Sequence, residues 1–228
     1  MSNNTILTVA VGAALVGFAI VLRKLVRREA INSEAWAGLF GVTGLITLII
    51  GVHTALVWPY GEGELAYANI EFGEPAVGFG ALLLFATVYL WRNRIPAEAD
   101  PVQTSKELFA ALRPAGIFVG FLGIGMIFLA FAWIRFQMGA APEFEPVSGN
   151  FGQWPWLEAI FLAGLWGLVA VGAVLFPFAL KNPDGKMMTV VIFTFGLAGV
   201  VFALFGALNF YTHIGMNYNL ANGTLHRW

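Results

Sequence analysis

The chain has 228 residues, a formal net charge of −1, 59% hydrophobic residues and only 11% charged ones, against about 25% charged in a soluble domain. With a mean hydropathy of +0.78, these values exclude an ordinary soluble globule and imply an integral membrane protein, a single transmembrane domain over 1–228. Cysteine is absent, which removes disulfides, thiolate metal sites, iron–sulfur clusters and cysteine nucleophiles, and no basic patch with interleaved aromatics exists to bind nucleic acid.

Six segments have the length and apolarity of a membrane span, roughly 17 to 25 residues each: about 5–22, 35–58, 75–91, 115–138, 155–180 and 187–212. A spanning backbone must satisfy its own hydrogen bonds, and these runs lack the alternation of barrel strands. The expected fold class is therefore all-α, a six-helix bundle. The first segment has no lysine or arginine before it and no cleavage pattern after it, but runs into RKLVRRE; it reads as a retained span. The polar stretch after the third, which includes TSKELFAALR, reads as a short amphipathic helix on the membrane surface.

Charge sorts the connections into two sets. Arg23, Lys24, Arg27 and Arg28, then Arg92, Arg94, Lys106 and Arg113, then Lys181 and Lys186 make ten of the twelve basic residues, all on one side. By the positive-inside rule that side is cytoplasmic and both termini are extracytoplasmic, in a multi-pass protein of the cell membrane. The other side holds Arg135 and Arg227 against Glu62, Glu64, Glu71, Glu74, Glu143, Glu145 and Glu158, and all three histidines, His53, His213 and His226, fall toward it. Trp36, Trp58, Trp91, Trp133, Trp154 and Trp156 stand near span ends and read as interfacial anchors. Glycines at 120, 123 and 125, at 164 and 167, and at 196 and 199 read as packing seams, since small residues let backbones approach in lipid.

Few residues in the spans carry chemistry. His53 lies roughly 25 Å along the second span, at ~1.5 Å of rise per residue, and needs a partner there because an unpaired polar group in hydrocarbon is costly. Thr43, Thr47 and Thr54 lie on a neighbouring stripe. Glu74 precedes Pro75 and Glu158 follows Pro155, positions suited both to a helix N-terminus and to a polar site. In the sixth span Gly206, Asn209 and His213 recur at helical spacing, so an amide and an imidazole share a face. Tyr211 and Tyr218 point elsewhere, and His226 belongs to a polar tail.

Three constellations compete for these groups. A mononuclear metal site would use His53, Glu74 and His213, whose ligand types suit Zn, Cu or Fe. A haem held by two histidines is opposed by the different depths of His53 and His213. A quinone or lipid site would use His53 or Tyr211, with Asn209 and His213, as hydrogen-bonding groups beneath an apolar roof. Ser2, Ser33, Ser105 and Ser148 form no nucleophile motif, and apart from His53 the spans lack the mid-membrane acidic or basic groups of a proton-coupled transporter.

The stretch GVHTALVWPY…YANIEFGEPAVGFGALLL resembles the signature of a family of small polytopic membrane proteins of archaea and actinobacteria, a domain of unknown function. The matching positions are His53, Trp58, Pro59, Asn69, Ile70, Phe72, Gly73, Glu74, Pro75, Phe79, Gly80 and Leu82 to Leu84, and NFYTHIGM in the sixth span is similar too. YGEGEL departs from that pattern as an elongated loop. The resemblance implies no activity. Together these readings lead to an expectation: an accessory subunit of a membrane oxidoreductase complex, associated laterally with other membrane subunits or with copies of itself, with an outward polar pocket lined by His53, Glu74 and His213 for a metal, quinone or lipid. A metal-dependent membrane enzyme using that pocket and a small-solute transporter or channel are the alternatives.

Overall fold

The structure is a computed structural model that describes residues 3–57, 67–96, 98–138 and 142–227. Its six long helices are α1 (Asn3–Val26), α2 (Ser33–Leu56), α3 (Glu74–Arg92), α4 (Pro101–Phe136), α5 (Pro155–Ala179) and α6 (Lys186–Asn222). All six are long and apolar enough to cross a membrane, so the chain is a multi-pass membrane protein in contact with lipid. A π-turn, Asn69–Gly73, leads into α3, and a 3₁₀ turn, Ser148–Phe151, precedes α5. Trp58, Pro59, Glu62, Glu64 and YGEGEL lie outside the described residues.

The helices pack in the order α3–α2–α1–α6–α5–α4, and the two end members, α3 and α4, touch only sparsely. The result is an open ring. Its seams are built where a backbone lies against a glycine: a Cβ on Gly199 would stand 2.7 Å from the Val16 nitrogen, one on Gly80 2.6 Å from that of Leu48, and one on Gly123 2.8 Å from that of Val174. Such approaches supply the van der Waals contact that holds helices together in lipid. Of the glycines expected at seams, Gly120, Gly123, Gly196 and Gly199 face a neighbouring helix, whereas Gly125, Gly164 and Gly167 have nothing within 4 Å of a Cβ position. These three have open space at the Cβ position and form no close seam, which the spacing of glycines alone does not distinguish.

Two helices are longer than the apolar pattern predicts. α4 begins at Pro101, with the Asp100 side chain accepting from the Val102 N–H, and continues through Pro114. TSKELFAALR is thus the first part of α4 and not a separate helix. The reason is tertiary: Ser105 and Phe109 are buried, and the Ser105 hydroxyl donates to the Leu25 carbonyl at 2.8 Å. α6 extends to Asn222, where Gly223 ends it in the left-handed conformation at φ +62°. Here Asn219 ties the tail back, donating to the Phe144 and His226 carbonyls and accepting from Thr224 and the His226 N–H.

Opposite charges gather at opposite ends of the ring. At the basic end Arg28 closes α1 at φ 56° and donates to Ser105, to the Leu25 carbonyl and to Asp184 at 2.9 Å, joining α1, the start of α4 and the α5–α6 turn. At the acidic end the Thr5 hydroxyl and His213 Nδ1 are 2.8 Å apart, so the start of α1 lies beside the C-terminal part of α6.

Candidate functional site

Inside the ring is a cavity of about 1100 Å³, lined by all six helices. It runs from Leu25, Leu90 and Leu108 at the basic end, past Phe18, Phe79, Phe176 and Phe195, to Glu71, Trp133, Glu158, Asn209 and His213 at the acidic end. Its walls are mostly apolar, and apart from Tyr89 the polar groups are gathered at one end. Among the described residues no lysine or arginine lines it, while three carboxyl groups do: Glu71, Glu145 and Glu158. The side closed by α3 and α4 is spanned mainly by side chains, Phe118 and Leu122 reaching across to Gly78. Phe85 and Phe136 belong to the cavity wall and yet are 62% and 70% exposed, so this flank of the wall also faces the surroundings of the bundle.

Each polar group is placed by a local device. Gly73 of the π-turn lies against α2 so closely that a Cβ would stand 2.6 Å from the Ala55 nitrogen, and this contact turns Glu71 into the ring, where it is 1% exposed. Trp133 of α4 is 2% exposed and packs against Ala159, Leu162 and Ala163 of α5, the alanines making room for the indole. The Trp133 indole stands beside the Glu71 carboxyl, yet among the described residues neither carboxyl oxygen of Glu71 nor the Trp133 Nε1–H makes a well-formed hydrogen bond. Glu145 differs: its Oε2 accepts from the backbone N–H groups of Val147, Ser148 and Gly149. That carboxylate caps the 3₁₀ turn that roofs the cavity.

The residues singled out from the sequence are not gathered in one place. His213 and Asn209 line the cavity, with Asn209 buried. His53 and Glu74 are both exposed and outside it. Among the described residues no group of three or more His, Cys, Asp or Glu side chains is placed to hold a metal ion, so the expected convergence of His53, Glu74 and His213 does not occur. Tyr211 lies in a separate shallow groove with Tyr218 and His226.

The physical reason for the exchange of Glu74 for Glu71 is the π-turn. Residues three apart share a face of a regular α-helix, but here the Glu74 N–H bonds to the Asn69 carbonyl, five residues back. The wider turn also accommodates Pro75, which has no N–H to give, and it offsets the two acids. Trp133 is a core residue and not an interfacial anchor; the pair Ala159 and Ala163, one turn apart, is the sequence signal for a large side chain seated opposite. Trp91, Trp154 and Trp156 are exposed near helix ends, as anchors would be.

A family model described as Protein of unknown function (DUF981) matches residues 1–216. Among curated proteins, the chain is similar to NAD(P)H-quinone oxidoreductase subunit 2 of Microcystis aeruginosa, 27% identical over 178 residues, with 72% of this chain and 33% of the relative covered. It is also similar to the subunits of the same name from Gloeothece citriformis, 26% identical over 186 residues with 72% and 33% covered, and Picosynechococcus sp., 25% identical over 178 residues with 72% and 32% covered. The chain spans about a third of the length of these relatives. No solved structure matches.

Proposed function

The chain belongs to the DUF981 family, and from that premise we propose that it is a non-catalytic membrane subunit of an oxidoreductase complex whose cavity takes up a lipophilic molecule, a quinone or a lipid, from the bilayer. The observation that carries this reading is the cavity itself: about 1100 Å³ of mostly apolar wall, with its carboxyl, amide and imidazole groups at one end and its flank between α3 and α4 sparsely closed. Such a shape suits a molecule with a long apolar part and a small polar head. The similarity to quinone oxidoreductase subunits over 72% of the chain supports the association with a redox assembly. The distribution of lysine and arginine supports a basic end in the cytoplasm and a polar end of the cavity on the extracytoplasmic side of the cell membrane.

The test is mild detergent extraction of the tagged chain from its native membranes, followed by native electrophoresis with an in-gel stain for NAD(P)H oxidation. The expected result is co-migration of the chain with a large, stain-positive band. Migration as a monomer or homo-oligomer apart from all such activity overturns the assignment.

A further inference from the structure

The fold leaves two polar groups unused at the acidic end of the cavity, and they are of opposite kind. Glu71 offers carboxyl oxygens that accept, with an O–H when protonated, and Trp133 offers an N–H donor; both residues line the cavity, both are at most 2% exposed, and among the described residues neither group has a well-formed hydrogen bond. Leaving such groups unmet in a buried site costs on the order of 1 to 3 kcal/mol each, and nothing in the packing of α4 against α5 requires it: an apolar residue would fill the same space. Their complement is a single group that donates to one and accepts from the other.

The alternatives are ruled out by the same inventory. A carboxylate or phosphate head accepts only, and it would enter a space lined by Glu71, Glu145 and Glu158 with no lysine or arginine among the described residues to balance it. An ammonium head donates only, so the indole N–H stays unmet. A ketone or quinone carbonyl accepts only, which serves Trp133 but meets the Glu71 carboxyl only where that group carries its proton, whereas a hydroxyl meets it in either state. A hydroxyl does both.

Resting on the reading of the cavity as a lipophile site, we propose that Glu71 and Trp133 form its head-group subsite and select an uncharged lipophile with a hydroxyl head, the hydroxyl hydrogen donated to the Glu71 carboxyl and its oxygen accepting from Trp133 Nε1–H. Two sources share this chemistry: a hydroquinone and a long-chain lipid alcohol. Asn209 and His213, on the α6 side of the same end, border the head-group space. For a quinone couple the consequence is preference for the reduced form, since reduction converts an acceptor into a donor that is also an acceptor.

The experiment uses the full chain in phosphatidylcholine nanodiscs at pH 8 and measures Kd for decylubiquinol, decylubiquinone, oleyl alcohol, oleic acid and oleylamine. At least one hydroxyl-headed probe is expected to bind about tenfold tighter than the acid and the amine, and decylubiquinol about tenfold tighter than decylubiquinone, the scale of one buried hydrogen bond. Tight binding of decylubiquinol alone identifies the hydroquinone source, and equal binding of oleyl alcohol identifies the lipid alcohol. Trp133→Phe and Glu71→Leu are expected to abolish the head-group preference, while Glu71→Gln, which keeps an acceptor oxygen, retains it; thermal midpoints establish that each variant is folded. If all five probes bind equally, or if folded Trp133→Phe and Glu71→Leu keep the preference, the head-group inference falls and the cavity reading stands. If no probe binds, the cavity reading falls with it.

Discussion

The two ends of the ring use polar side chains differently. At the basic end Arg28, Ser105, Asp184 and the Leu25 carbonyl satisfy one another across three elements, and Ser33 accepts from the Ile95 N–H at 3.1 Å. The acidic end has its own structural bonds, at Glu145, Asn219 and the Thr5–His213 pair. Yet the buried side-chain atoms without a partner among the described residues belong to Asn69, Glu71 and Trp133 at that end and to Thr47 in the middle of α2; none is at the basic end. A polar group that the fold employs is explained by the fold. One that is buried and unemployed calls for an explanation in terms of a ligand, and only the acidic end supplies such groups facing a cavity.

That contrast can be broken most forcefully at the seam on which both ends depend. In Gly199→Leu the new side chain meets the α1 backbone at Val16, and separating α1 from α6 is expected to cost about 3 kcal/mol. The check is thermal unfolding of detergent-solubilised protein, followed by tryptophan fluorescence; an unchanged midpoint would mean that the seam is not as close as described. Next in size, and opposite in sign, is Glu71→Leu. Replacing an unpartnered buried carboxyl by an apolar side chain of similar volume is expected to stabilise the ligand-free protein by about 2 kcal/mol, read in the same assay. Destabilisation there would show that the carboxyl serves the fold, and the contrast between the ends would disappear. The smallest effect belongs to the basic end. Arg28→Ala removes an ion pair with the exposed Asp184 and is expected to cost within about 1 kcal/mol, because Ser105 keeps its bond to Leu25; raising salt to 1 M should shrink the difference further.

Much of the architecture follows from local rules. The spans are readable because hydrocarbon demands about 20 apolar residues and an internally bonded backbone, and the two-ended charge distribution appears in the list of basic residues alone. The site was legible only in outline. Its location at the acidic end could be anticipated from the acids and histidines, and Asn209 and His213 do line the cavity, because a regular helix preserves spacing. His53 could not be placed: periodicity along α2 does not say which side faces the ring. Glu71 and Glu74 could not be told apart, since the π-turn that separates them depends on the contact of Gly73 with Ala55.

By itself, then, the sequence determined that this is a helical, six-span membrane protein with one basic and one acidic end, for these properties depend only on the residues within each segment and the solvent they meet. The tertiary structure decided the order of the helices around the ring, the existence of the cavity and the choice of Glu71 and Trp133 as its buried polar groups. Those depend on which faces meet, and in lipid that is settled by close approach at particular glycines and alanines, where no gradient of hydrophobicity distinguishes the inside of the protein from its surroundings.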